Sequence, residues 1–244
     1  MKKIVIILFS IYLNLFPLYG ACNEFSSVYD NYDSNEMKYI ISLIEDNKLS
    51  ELKEYVYSGV NINTLGRDGT TLLMWAMKND NRELVKFLLE IGSDPRVPLG
   101  KDISPLCVSP SIEGGFYLEL FLRYASEPNY WCYDKNLLMI SVTSGFKDNV
   151  IYLLNKGSSS SLKNKFSFDA ATKAITVRQY EILALLIQNG YDGDIDKLRQ
   201  SLERTYITPE YKNYNQFVKI LNLVNGDIHK VEEWIKMIDM QNKN

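Results

Sequence analysis

The chain has 244 residues, 23% of them charged, and a formal net charge of −3 at pH 7. No cluster of lysine and arginine stands out, which argues against nucleic acid as a partner. One histidine and three scattered cysteines give no set of residues at metal-ligand spacing, so neither a metal site nor a cofactor site is predicted.

The first 22 residues have the layout of a secretory signal peptide. Lys2 and Lys3 precede a mostly apolar run over residues 4–16, and Gly20-Ala21 supplies small residues behind it. The run is too short for a comfortable membrane span. The alternative is a buried helix at the start of the domain, and the lack of any polar face argues against it. We therefore predict a signal peptide over residues 1–22, and export of the chain.

Cys22 raises the question of a lipid anchor. Its position behind Gly20-Ala21 resembles the site at which bacterial lipoproteins are cleaved and acylated. Those proteins usually carry leucine three residues earlier, where this chain has Tyr19. Lipidation at Cys22 and a soluble periplasmic protein therefore stay open as alternatives. Residues 23–34 are polar and aperiodic, which predicts a flexible tether.

A short pattern recurs along the chain: two bulky apolar residues, two variable residues and a small one. The closing small residues lie 33, 33, 32 and 33 positions apart, at Gly59, Gly92, Ala125, Gly157 and Gly190. A period near 33 indicates stacked helix pairs, because one pair cannot bury its own apolar face. The sequence predicts an all-α solenoid of helix-turn-helix units with short β-turn tips.

Residues 66–95 form the clearest unit. Asp68-Gly69 is a strong turn signal, and Thr71 can cap a first helix. A second helix follows, which Gly92 closes in a left-handed conformation and Pro95 prevents from continuing.

This unit resembles the ankyrin-repeat family. The family motif Gly-x-Thr-Pro-Leu-His-x-Ala appears at residues 69–76, with Leu72 for proline and Met74 for histidine, and the ending Leu-Leu-x-x-Gly-Ala-Asp appears at 88–94. The register carries through residues 35–193, of which 35–58 fit either a degenerate first unit or an N-terminal helical cap. Residues 194–244 are predicted to form a degenerate repeat and a C-terminal helical cap.

The repeat after residue 95 departs from the pattern. Pro110 and Gly114-Gly115 fall where its first helix should run, which predicts a short or distorted helix. Cys107 and Cys132 lie in adjacent repeats and, in an oxidising compartment, are either a disulfide pair or two separate thiols.

Catalytic chemistry is not indicated. The single histidine, His229, has no cysteine or serine at a recognised spacing, and Gly114-Gly115 lacks the lysine that would follow in a phosphate-binding loop. The ankyrin resemblance implies a protein-binding scaffold, and no catalytic residue is predicted.

The ankyrin register implies a row of groove positions, one in each repeat. They are Trp75, Val108, Ile140 and Lys173. The three apolar members suit a binding stripe. The alternative is that they pack between neighbouring first helices.

A projecting tip at residues 129–134 carries three aromatic residues, Tyr130, Trp131 and Tyr133. Tyrosine and tryptophan often anchor interfaces, so we predict that they contact a partner; the alternative is that they fold back over the irregular repeat. Arg67, in the turn at residues 66–69, is a further candidate contact. Residues 158–165 form another tip, which suits a solvated connector equally well.

Exported bacterial ankyrin proteins resemble the immunity proteins of antibacterial effectors, notably lipases of type VI secretion. The resemblance implies a monomer in the periplasm, with or without a lipid anchor, that occludes a secreted toxin such as a phospholipase. Two alternatives are a periplasmic scaffold or stress-protection protein and an exported factor directed at a host. The step from ankyrin repeats to immunity is an analogy of fold.

Overall fold

The computed structural model describes residues 31–98 and 103–241. The chain divides into two compact units, an N-terminal unit that ends at Glu127 and a C-terminal unit that begins at Pro128. The N-terminal unit contains α1 (Asn35–Glu45), α2 (Leu49–Tyr57), α3 (Leu72–Lys78), α4 (Arg82–Glu90), α5 (Pro105–Val108), a 3₁₀ turn (Ser109–Ser111) and α6 (Phe116–Ala125). The C-terminal unit contains β1 (Trp131–Cys132), β2 (Lys135–Asn136), α7 (Leu137–Ser144), α8 (Lys147–Asn155), α9 (Ala170–Thr176), α10 (Tyr180–Gln188), α11 (Ile195–Glu203), α12 (Tyr214–Leu223) and α13 (Ile228–Gln241). The predicted all-α fold class is confirmed.

The N-terminal unit is built from antiparallel helix pairs, with α1 against α2 and α3 against α4. Leu84, Val85, Leu88 and Leu89 of α4 are all buried, as the sequence pattern predicts. Full burial of one such side chain stabilises the fold by about 1.5–3 kcal/mol, so these four residues contribute strongly to the stability of this helix pair. Gly92 closes α4 with φ of +105°, in the predicted left-handed conformation.

The first helix of successive repeats begins at a side-chain cap. Thr71, Ser104, Asn136 and Asp169 each accept a hydrogen bond from the backbone N–H three residues on, at 2.8–3.2 Å. These caps lie 33, 32 and 33 residues apart. Each satisfies an N–H that the helix itself leaves without a partner, so the repeat period is set by capping as well as by apolar spacing.

The irregular repeat has a shortened first helix, as Pro110 predicts. Helix α5 has only four residues and continues into the 3₁₀ turn at Ser109–Ser111. Gly114 and Gly115 then adopt φ of +86° and +69°, which reverses the chain before α6.

The C-terminal unit continues the repeat pattern. Helix α7 packs against α9, α9 against α11 and α11 against α13, while α10 packs against α12. Tyr180 and Phe217 meet edge to face with ring centroids 5.4 Å apart, which joins α10 to α12. The last helix, α13, covers α11 in the position expected of a cap.

The predicted flexible tether ends earlier than residue 34. Tyr32 is buried and donates a hydrogen bond to the Thr70 carbonyl at 2.8 Å, while the Arg67 N–H bonds the Asn31 carbonyl at 2.7 Å. Residues 31–33 are therefore packed on the 66–70 turn, because a buried tyrosine and backbone hydrogen bonds hold them there. The signal peptide at 1–22, Cys22 and the rest of the tether lie outside the described residues.

Within the part of the chain that the structure describes, no helix is both long enough and apolar enough to cross a membrane.

Candidate functional site

The loops that connect the helix pairs form tips joined by hydrogen bonds between repeats. In the N-terminal unit, the Asn63 side chain accepts from the Asp94 N–H at 2.8 Å and donates to the Gly92 carbonyl at 3.1 Å. In the C-terminal unit, Asn129 accepts from the Ser159 N–H at 2.9 Å. An asparagine that bridges one repeat to the next fixes the spacing of neighbouring tips, and so the side chains they carry are held in register.

The first tip of the C-terminal unit is a small antiparallel hairpin. Trp131 pairs with Asn136 and Cys132 with Lys135. Tyr133 lies at the turn with φ of +60°, a conformation uncommon for a bulky residue. Trp131 is 39% exposed and Tyr133 is 69% exposed, so both side chains present surface to solvent, and partner contact by them stays a prediction. Tyr130 is half-buried.

The second tip, residues 161–168, lies against the first. Asn164 donates to the Asp134 carbonyl at 2.9 Å, and its side-chain oxygen accepts from the N–H groups of Phe166 and Phe168, both at 3.0 Å. Phe166 is 60% exposed and Phe168 42%. The half-buried Asn164 therefore both shapes the second tip and bonds it to the first.

Together these tips present an aromatic tip surface, which we define as Trp131, Tyr133, Phe166 and Phe168. Single exposed apolar residues are ordinary on a protein surface, but rings on adjoining, mutually bonded tips form a patch. The sequence prediction does not include Phe166 and Phe168, because the predicted tip covers residues 158–165 only. The available signal was the alternation Lys165-Phe166-Ser167-Phe168 directly before the helix cap Asp169.

Lysines surround the aromatic tip surface. The Lys165 ammonium lies 4.3 Å from the centre of the Tyr133 ring and 5.1 Å from that of Phe166. Lys163 is exposed, and Lys135 and Lys173 are half-buried. Burial and the charge of Lys173 hold the pKa of Lys135 below its usual range, although Asp134 opposes this. The surface is therefore both aromatic and locally positive.

The second tip is anchored at its end by a buried carboxylate. Asp169 caps α9 and also accepts a hydrogen bond from the Tyr191 hydroxyl at 2.8 Å. Burial and this hydrogen bond raise the pKa of Tyr191 well above its usual range, so its hydroxyl stays a neutral donor. Asp169 therefore holds the C-terminal end of the second tip in place.

The predicted apolar stripe along the groove is wrong at two of its three positions. Val108 is 2% exposed and Ile140 is 3% exposed. A side chain without accessible surface cannot contact a partner; Val108 ends a four-residue helix, and Ile140 belongs to a run in α7 that is buried throughout. Trp75 and Lys173 are half-buried, and Trp75 as a contact stays a prediction.

Arg67 is exposed, but its guanidinium is already engaged. It forms an ion pair and hydrogen bonds with Asp33, whose pKa they lower. Partner contact by Arg67 would therefore compete with a bond that helps to hold residues 31–33 in place.

The remaining candidates for chemistry are dispersed. Among the described residues, no group of three or more histidine, cysteine, aspartate or glutamate side chains could hold a metal ion. His229 is exposed on α13, 3.4 Å from Glu232. Cys107 and Cys132, whose state the sequence left open, are both disulfide-bonded.

Comparison with known proteins agrees with this architecture. A family model described as "Ankyrin repeats (many copies)" matches residues 40–89, which span most of α1 through α4. The matched residues include α2 and part of α1, and whether residues 35–58 are a degenerate first repeat or an N-terminal cap stays a prediction. A protein of Fowlpox virus (strain NVSL) named as an ankyrin repeat protein is 25% identical over 133 residues, which cover 54% of this chain and 23% of the viral protein. This chain thus spans under a quarter of that relative's length. The helix pairs and their period make this chain an all-α repeat protein, and its residues 40–89 are similar to ankyrin repeats.

Proposed function

We propose that this protein neutralises a secreted antibacterial effector by binding it through the aromatic tip surface. Ankyrin repeats mediate protein–protein interaction and typically serve as non-enzymatic binding scaffolds, so a protein partner is the expected ligand. The proposed partner is an exported toxin of the lipase class, and the proposed mechanism is occlusion of its active site or of its membrane-docking surface.

The observation that carries this proposal is the exposure of four large rings on two bonded tips. Aromatic side chains supply most of the binding energy at interface anchors, since each buries a large apolar area with few rotamers to fix. The hydrogen bonds of Asn164 hold the two tips together before binding, so little ordering remains to oppose association.

The conformation of the tips gives independent support. Tyr133 and Ser167 both have positive φ, +60° and +62°, and neither is glycine. Left-handed backbone costs an ordinary residue about 1–2 kcal/mol, and such strain tends to collect at functional sites. The exposed Tyr133 ring regains little of this cost within the fold, which suits a side chain that acts by meeting a partner.

We further propose a periplasmic location, with lipidation at Cys22 as the means of attachment to the membrane. The disulfide-bonded state of Cys107 and Cys132 supports it, because disulfides persist in oxidising compartments and are rare in the cytosol. The sequence pattern of residues 1–22 supports it as well.

A protection assay tests the proposal. Susceptible cells receive a secreted antibacterial lipase in their periplasm, and they express either the full chain or a variant with Trp131, Tyr133, Phe166 and Phe168 all changed to Ala. The full chain should protect and the tip variant should not, although both are exported and equally helical. A control variant with Tyr39 and Tyr57 of the first repeat changed to Ala should still protect.

Two results would contradict the proposal. Protection by the tip variant would show that these rings do not bind the toxin. Equal protection by a chain without residues 1–22 would rule out the periplasm as the place of action.

A further inference from the structure

We propose that the aromatic tip surface recognises an acidic stretch of its protein partner, whose carboxylates pair with Lys135, Lys163, Lys165 and Lys173 while apolar side chains cover the rings. This inference rests on the proposed function and adds the chemistry of the partner to it.

The first argument is the local sign of charge. The chain as a whole carries a net charge of −3, yet four lysines stand on or beside the two tips. The acidic residues beside them are Asp134, in the first tip, and the buried Asp169, which ends the second tip. No ion pair joins any of these four lysines to a carboxylate of the described residues. A positive patch on an acidic protein steers a negatively charged partner to that face.

The second argument is the position of the Lys165 ammonium group. Lys165 lies over the Tyr133 ring and within 3.3 Å of the Tyr133 hydroxyl. A cation held over an aromatic face keeps N–H donors free for a carboxylate, and it loses little further entropy when it is bound. The ring and the charge therefore present one combined binding element.

The third argument separates a protein from other anions. Double-stranded DNA and anionic lipid surfaces are extended polyanions, and binding them is driven by broad basic surfaces. Here the four lysines lie on or beside two tips of a chain whose net charge is −3, which is a local cluster rather than the broad basic surface that an extended polyanion favours. Exposed rings interleaved with lysines suit a compact protein surface of mixed acidic and apolar side chains.

Binding to an array of 15-residue peptides tests the inference. One set alternates glutamate or aspartate with leucine, and the matched set carries glutamine or asparagine at the same positions. The full mature chain is compared with Lys163→Glu/Lys165→Glu and with the control Lys219→Glu/Lys236→Glu, which places the same charge change on exposed positions of α12 and α13. Phosphatidylglycerol vesicles and a single-stranded oligonucleotide serve as competing probes.

The inference requires that the acidic peptides bind at least tenfold more tightly than their amide counterparts. It also requires that the Lys163→Glu/Lys165→Glu variant loses this preference and that the Lys219→Glu/Lys236→Glu control keeps it. Equal binding of the two peptide sets, equal loss in both variants, or stronger binding of vesicles or oligonucleotide would overturn it. These outcomes are distinct from failure of the proposed function: a Lys163→Glu/Lys165→Glu protein that still protects cells would reject the acidic partner and leave neutralisation standing.

Discussion

At the scale of single residues, each of the two tips contains one residue whose backbone conformation costs the fold stability. Tyr133 and Ser167 occupy the left-handed region on neighbouring tips, but only Tyr133 carries a ring. The pair therefore allows backbone strain to be separated from surface chemistry.

We predict that Ser167→Gly raises the free energy of unfolding by up to about 1 kcal/mol, because glycine adopts positive φ without strain and the greater freedom of its unfolded chain offsets only part of that gain. Tyr133→Gly should change stability by less than about 1 kcal/mol, since it also loses the contact with Lys165. Urea denaturation measures both values. In the protection assay Ser167→Gly should stay active and Tyr133→Gly should lose activity. A strongly destabilised Ser167→Gly protein would show that the tip conformation is different.

Burial of single residues explains which predicted contacts failed. The sequence of α7 begins Leu-Leu-Met-Ile-Ser-Val, and a helix that is apolar all round is buried rather than half exposed. That signal was present in the sequence and contradicts a groove role for Ile140. Val108 could not have been placed in this way, because its direction depends on where a distorted helix ends.

At the scale of elements, the repeat was predictable and the tips were not. The caps at Thr71, Ser104, Asn136 and Asp169, together with the closing glycines, are local signals with a fixed period, so helix pairs follow directly from the sequence. Residues 161–168 have no period. Their shape comes from Asn164, which bonds a carbonyl 30 residues earlier, and a contact of that separation leaves no local pattern.

We predict that Asn164→Ala loosens the second tip. The N–H groups of Phe166 and Phe168 would lose their acceptor, and a lost hydrogen bond of about 1–1.5 kcal/mol corresponds to roughly tenfold faster amide exchange. Hydrogen exchange followed by mass spectrometry over residues 161–168 measures it. Asn189→Ala is the control, because that side chain bonds only the Leu185 carbonyl of its own helix. An unchanged rate of amide exchange over residues 161–168 in Asn164→Ala would mean that the tips are held by other contacts.

At the scale of the molecule, the chain is a stack of helix pairs similar to ankyrin repeats at residues 40–89, and its C-terminal unit carries exposed rings beside lysines. We propose that this surface makes the chain a protein-binding scaffold. The family resemblance gave the fold and the class of function, while the position of the surface required the structure. Of the four rings, only Trp131 and Tyr133 were predicted from the sequence, because several aromatic residues in one loop are visible there. That Phe166 and Phe168 belong to the same surface depends on how the two tips pack.

Site-specific photo-crosslinking in living cells tests most directly whether this surface binds a protein. A benzophenone amino acid replaces Tyr133 or Phe166 and, as controls, Tyr206 or Leu223, which are exposed in the same unit. The replacement keeps an aromatic ring at each position, and because Tyr133 and Phe166 are exposed, the added benzoyl group should leave folding unaffected. We predict one discrete protein adduct of the same mass from both tip positions and none from the controls. No adduct from the tips, or the same adducts from the controls, would contradict the assignment of the aromatic tip surface as the binding site.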